Sequence, residues 1–381
     1  GNGIRVVLSD NCTVRNCVCD NNAERGIFTG FTDDILIEYN ICTNSIDEHG
    51  IYVSNSSDRP IIRYNQCYGN NNIGIHLNGD LSAGGDGIIS DAEIYGNIIH
   101  DNNLAAGINM DGLEDPVVYN NLIYNNHFAQ GIALFQQDGA IMTSGAKIFN
   151  NTIIVPSDGR WGILMMNGAN VNTEIYNNII INQHAWRGCI ASESVIQLSS
   201  DYNILNDKMS DSGDGSTIPL SDWQALGLDL NSQLADPLPL IFEDPASNDY
   251  YLAAGSQAID AGTALVNGVI TDDIEGRLRP LGTAYEIGAY EYEPVSDAHI
   301  VTTSSDITIY PNPFADMVIL EGELADYEIM ILDSAGILVS DYTGVAGPLT
   351  IDLSMLGPGI YFISVQHLVH SDLSVYKIIK E

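Results

Sequence analysis

At 381 residues the chain is too long for one small domain and can bury a large core. It carries 50 Asp and Glu against 13 Lys and Arg, a formal charge of −37, and such a surface repels nucleic acid and anionic membrane. No apolar run reaches the roughly 18–20 residues of a membrane span and no basic-then-apolar leader opens the chain, while an acidic, lysine-poor surface suits secretion into a salty or calcium-containing medium.

Residues 1–205 read as a repeat array. A glycine followed by an apolar alternation recurs at 3, 26, 50, 74, 107, 131 and 162. A second phrase, hydrophobic-x-x-Asn-x-hydrophobic, places asparagines at 16, 40, 65, 97, 121, 151 and 178. A period near 24 residues with two or three short strands per turn predicts an all-β, right-handed parallel β-helix. Period-2 alternation and β-branched residues exclude helical repeats, and the Leu pattern of leucine-rich repeats is missing. Gly1 falls inside a repeat, so the first coils are expected to be absent.

Alternation fixes faces. Ile51, Val53, Ile75 and Leu77 point inward, and stacking places Tyr52, His76 and Asn109 in one outward column with Ser54, Asn78 and Asp111 beside it. The asparagines and the recurring Tyr39, Tyr64, Tyr95, Tyr119 and Tyr176 are expected to form structural ladders. The six cysteines read as core residues: Cys42 and Cys67 follow Asn40 and Asn65 by two positions, where later copies carry Ile99 and Ile123. Their spacing matches no zinc site. Two coils are lengthened at the same place, by residues 79–87 and 136–145. Repeat arrays usually put insertions on the face they use, so both loops are expected to wall the outward columns.

From 206 to 293 the repeat fades into Asp236-Pro237-Leu238, then Gly255-Ser256 leading to Ala258-Ile259-Asp260, then Tyr285-Glu286-Ile287-Gly288. This order resembles the choice-of-anchor Q region that follows β-helices in secreted bacterial proteins. It is expected to cap the open solenoid end. Residues 294–305 read as a linker. Seven short alternating segments in 306–381 predict a small β-sandwich. Tyr310-Pro311-Asn312-Pro313-Phe314, Gly359-Ile360-Tyr361-Phe362 and the closing Lys377-Ile378-Ile379-Lys380 resemble the C-terminal sorting domain of type IX secretion. That resemblance implies a Bacteroidetes-type source, export across the outer membrane and the secretion machinery as a partner.

A parallel β-helix of this kind resembles the pectate-lyase-like proteins, which include lyases, epimerases, glycosidases and tail-spikes; the fold does not choose among them. His76 and Asp111 are the candidate catalytic pair, of types that move protons, with Asp111 expected to raise the His76 pKa and orient its ring. A plain surface histidine and a turn-capping aspartate are the bland alternative. Tyr52, Asn78, Asn109, Phe135, Asp47 and His49 are candidate substrate contacts. Asp47-Glu48-His49 resembles the Asp-Pro-His motif of alginate epimerases, but Glu48 replaces its proline and Asn44 the preceding tyrosine, which puts epimerisation behind the other readings. No Lys or Arg occurs from Tyr64 to Ala146, so an anionic sugar would need a bridging cation such as Ca²⁺, for which Asp80 and Asp86 (with Asp111) offer oxygens. A neutral glycan could instead be hydrolysed by paired acids. The expectation is a monomeric, secreted or cell-surface protein acting on a polysaccharide, with a non-catalytic glycan-binding adhesin as the alternative.

Overall fold

The computed structural model describes residues 1–293, 307–322, 324–333, 337–345, 347–367 and 373–380. They form two compact units, Gly1–Tyr292 and Glu293–Glu381. The linker expected at 294–305 lies outside the described residues.

The first unit is a right-handed parallel β-helix of about nine turns. Each full turn contributes one strand to each of three parallel sheets. The first sheet runs from Ile4–Val7 through Ile51–Ser54, Ile75–Asn78, Ala105–Asp111 and Ala129–Phe135 to Ile190–Ser192. The second begins at Thr13–Arg15 and ends at Leu198–Asp201; the third begins at Val18–Asp20 and ends at Gln233–Leu234. Ile51, Ile75, Ile108, Ile132 and Ile163 lie in register and are fully buried. Each such side chain stabilises the fold by roughly 1.5–3 kcal/mol. The recurring glycine has a steric cause: a Cβ on Gly107 would lie 2.7 Å from Ile123 Cγ2 and 2.9 Å from the Gly131 carbonyl oxygen.

At the corner between the second and third sheets the asparagines stack as expected. Asn97, for example, donates its backbone N–H and its Nδ2 to Asn121 Oδ1, both at 3.0 Å, and Asn121 does the same to Asn151. The ladder runs from Asn40 to Asn203. Asn16 is not in it. Cys17 N–H donates to Asn40 Oδ1, so Cys17 holds that position, and Asn16 takes the left-handed turn conformation that Tyr39 and Tyr64 take in the next coils. The same one-residue shift puts Cys19, rather than Val18, in the buried row with Cys42 and Cys67. All six cysteines are free. The tyrosines stack too, Tyr39 on Tyr64 at 5.1 Å and Tyr95 on Tyr119 at 4.5 Å between centroids.

Leu220 and Trp223, on the short helix Leu220–Ala225, join the β-helix core, and Gln233–Leu234 pairs with Ile204–Leu205 to end the third sheet. The remainder, to 292, folds back along the flanks. Phe242, Tyr250 and Leu252 pack on Ile154, Ile179 and Ile204, and Val266, Ile270 and Tyr285 pack on the Tyr95–Tyr119–Phe149 row. A buried ion pair, Arg279 with Glu291 at 2.7 Å, ties this flank together.

The second unit holds a three-stranded antiparallel sheet, Thr308–Tyr310, Met317–Glu321 and Leu349–Asp352. A four-stranded one follows, ordered Leu338–Thr343, Tyr327–Asp333, Gly359–His367, Leu373–Lys380. Val318, Leu320, Ile329, Ile331, Ile351 and Ile363 form their shared core.

Candidate functional site

The outward columns have the register that alternation gives. Tyr52 pairs with His76 and His76 with Asn109; Ser54 pairs with Asn78 and Asn78 with Asp111. They are not an open face. Ser54, Asn78, Asn109 and Asp111 are buried, because neighbouring side chains and the 136–145 loop cover them. What remains open is a cleft of about 330 Å³, bordered by His49, His76, Asn109, Phe135, Asp138 and Arg160.

Two of these are histidines, and their contact sets both proton positions. Ile73 N–H donates to His49 Nδ1 at 3.4 Å, so the His49 proton sits on Nε2. His49 Nε2 lies 3.2 Å from His76 Nδ1 and donates to it, leaving the His76 proton on Nε2. Burial, reinforced by the Arg25 charge, drops the His49 pKa to about 3. Burial, then His49 and Arg25, hold His76 well below the usual histidine range. His76 is therefore a neutral N–H donor at physiological pH. This reverses the expectation that Asp111 raises its pKa: burial dominates, and the Asp111 carboxylate, although it also lines the cleft, is taken up by backbone amides of the 136–145 loop.

Asp111 holds a loop. Its Oδ1 accepts from Gln137 N–H at 2.9 Å and Gly139 N–H at 3.2 Å, and its Oδ2 accepts from Asp138 N–H at 2.8 Å. These bonds aim the 136–145 loop so that Asp138 borders the cleft. The other inserted loop does not border it. It props the first from behind, through Leu81 N–H to the Asp138 carbonyl (3.0 Å) and Ala140 N–H to the Gly87 carbonyl (2.9 Å).

The remaining candidates fall into place around this pair. The Tyr52 ring stacks on His76 at 4.7 Å, and Arg25 lies over its other neighbourhood at 5.0 Å from the centroid. Asn78 Nδ2 donates to Tyr52 Oη (3.2 Å) and to Asp138 Oδ2 (3.3 Å). Tyr52 and Asn78 thus support the cleft without bordering it. Asp47 is exposed and stays outside it. Asp80 Oδ1 accepts from Ser82 N–H and hydroxyl, and its Oδ2 from Asn55 Nδ2. Asp86 Oδ1 accepts from Ile88 N–H. Among the described residues no group of three or more His, Cys, Asp or Glu converges on one point.

Arginine enters from outside the interval that lacks it. Arg25 pairs with Glu48 at 2.5 Å, and Arg160 pairs with Asp214 at 2.9 Å. Asp214 also accepts from Arg187 Nε at 2.9 Å and Trp161 Nε1 at 2.7 Å. Burial pushes the Asp214 carboxyl up, but the hydrogen bonds from Arg187, Trp161 and Arg160 outweigh it and bring it down to about 2. Gln130, also at the cleft, accepts from Trp161 N–H through Oε1. No local motif marks Arg160, Gln130 or Asp138; only the stacking of successive coils brings them to the cleft beside His76.

Fold and cleft together define a right-handed β-helix with a lateral cleft. Residues 1–133 match the family described as periplasmic copper-binding protein (NosD), and 79–209 the right handed beta helix region. Residues 308–381 match the secretion system C-terminal sorting domain. Similar solved structures include the periplasmic alginate epimerase AlgG, at 16% identity over 53% of this chain and 42% of that one, with a TM-score of 0.36. Pectate lyase Pel9A is 14% identical over 71% of this chain and 73% of that one, with a TM-score of 0.34. XylC, solved with xylose, is 12% identical over 96% and 51%, with a TM-score of 0.32. The chain thus spans about two fifths of the alginate epimerase. No curated protein matches it.

Proposed function

We propose that the chain is an exported protein that binds a polysaccharide in the cleft beside His76. The observation that carries this reading is the lining itself. A neutral His76 offers Nε2–H, Asn109 adds an amide without a protein hydrogen bond among the described residues, and Phe135 supplies a ring, so polar recognition and an apolar face converge in one groove. Such a mixture suits hydroxyl-rich sugar rings. The sorting-domain match at 308–381 supports export, and the acidic surface argues against nucleic acid.

Processing of the glycan is the second reading, and Asp138 favours it. Its Oδ2 is held by Asn78 while Oδ1 has no hydrogen-bond partner among the described residues, which leaves one carboxylate oxygen free for acid or base work in a lyase, epimerase or hydrolase. Asp111, bonded to three backbone amides, positions Asp138 in that scheme.

The test is retention of the wild type, His76→Ala and Asn109→Ala on gels containing polygalacturonate, alginate, xylan or laminarin, with products assayed in parallel. Retention of the wild type and its loss in both variants, with melting unchanged, is the expected result. Equal retention of all three proteins would move the site elsewhere. Turnover by the wild type, abolished in Asp138→Asn, would establish processing.

A further inference from the structure

Beyond the cleft, the loop between Ile179–Asn182 and Ile190–Ser192 carries an exposed tryptophan that nothing in the fold requires. Trp186 is 45% exposed, whereas Trp161 and Trp223 are completely buried. An indole left this open on a rigid support is unusual, because burial of so large a ring is favourable. The support here is rigid on every documented side. The Arg187 guanidinium lies 4.3 Å from the Trp186 centroid. His184 meets the ring edge-on at 5.4 Å and Trp161 does so at 6.3 Å. Below the ring, His184 Nδ1 accepts from both Trp186 N–H (3.2 Å) and Arg187 N–H (3.0 Å), and Lys208 Nζ donates to the His184 carbonyl.

The platform is continuous with the cleft. Arg160, on the cleft border, shares Asp214 with Arg187, and Arg187 backs the Trp186 ring. Stacked backbone bonds place the two ends in coil order: His49, Ile73, Ala106, Trp161 and Gly188 each accept from a glycine of the preceding coil, with Gln130 in the intervening one. Five coil steps at one strand spacing give about 24 Å from His49 to the Trp186 loop. That length accommodates an extended polymer rather than a single sugar.

We propose that Trp186 is a sugar-stacking subsite at the far end of the groove. Its open face takes the apolar C–H face of a pyranose ring in the same polysaccharide chain whose other rings lie beside His76 and Asn109. The proposal rests on the glycan reading above and adds that the ligand is a long chain running along the solenoid axis. Apolar contact on a preformed, immobile ring contributes affinity with little ordering cost.

The experiment uses the full chain and a six-unit oligosaccharide of whichever polymer retains the wild type. Titration is followed by tryptophan fluorescence, in which Trp186 is the solvent-exposed reporter. Trp186→Ala should weaken binding of the hexamer about tenfold and remove the spectral change, Trp186→Phe should recover most of the affinity, and both should melt like the wild type. Unchanged hexamer affinity in Trp186→Ala overturns the subsite while leaving the His76 cleft standing. Retention of the wild type by none of the polymers overturns both.

Discussion

Two columns run the length of the same solenoid and could hardly differ more. At one corner the ladder repeats Asn65, Asn97, Asn121, Asn151 and Asn178, all buried, each amide bonded to the next. On the first sheet the register reads Phe28, Tyr52, His76, Asn109, Ala133 and Leu164, with no residue repeated. The ladder closes its hydrogen bonds within the chain, so sameness is its function. The other column breaks the repeat and leaves His76 Nε2–H available. In a repeat protein, structure is carried by what recurs and recognition by what does not.

Cutting the ladder should have the largest effect. Asn121→Ala removes the acceptor for Asn97 N–H and Nδ2 and the donors to Ile94 and Asn151. A loss of about 2–4 kcal/mol is expected, read as a lowered denaturant midpoint, with amide exchange accelerated in the neighbouring coils. No destabilisation would show that the corner tolerates gaps.

Asp111→Ala should cost less, about 2 kcal/mol, because the 136–145 loop can turn its freed amides to water. Its signature is local: Gln137, Asp138 and Gly139 amides should exchange faster while Asn97 and Asn121 keep their protection. Slowed exchange across the whole β-helix, or no change at the loop, would contradict the assignment of Asp111 as the loop's anchor.

The last effect is conditional and emerges only as pH falls. His49 and His76 are depressed in the folded state from 6.5, so the unfolded chain binds more protons once pH falls below about 6.5. Their contribution to stability is complete above that pH and is lost as pH falls toward about 3 for His49, at up to about 1.4 kcal/mol per pH unit for each group. Replacing both by glutamine should flatten the stability curve between pH 6.5 and 4. An identical curve in the double variant would mean that the pair protonates without penalty.

Much was legible from the chain alone. A period near 24 with strict alternation leaves one stable way to bury Ile51, Ile75, Ile108 and Ile132 together, and that determined the parallel β-helix, the inward row and the pairing of Tyr52, His76 and Asn109. The small antiparallel unit followed from its seven alternating segments. Register at the first coil did not, because Asn16-Cys17-Val18-Cys19 fits the phrase in two frames and only stacking on Asn40 selects Cys17. Nor could the sequence assign partners to His76. It offered Asp111 as the nearest carboxylate in the phrase, but direction depends on which loop supplies free N–H groups, and residues 137–139 supply three. Arg160 and Gln130 lie far from His76 in sequence and border the same cleft only because each coil rises by a single strand spacing. The repeat therefore determined the scaffold and its faces, while loop closure and coil stacking decided the chemistry, since charge and hydrogen bonding depend on neighbours that periodicity does not name.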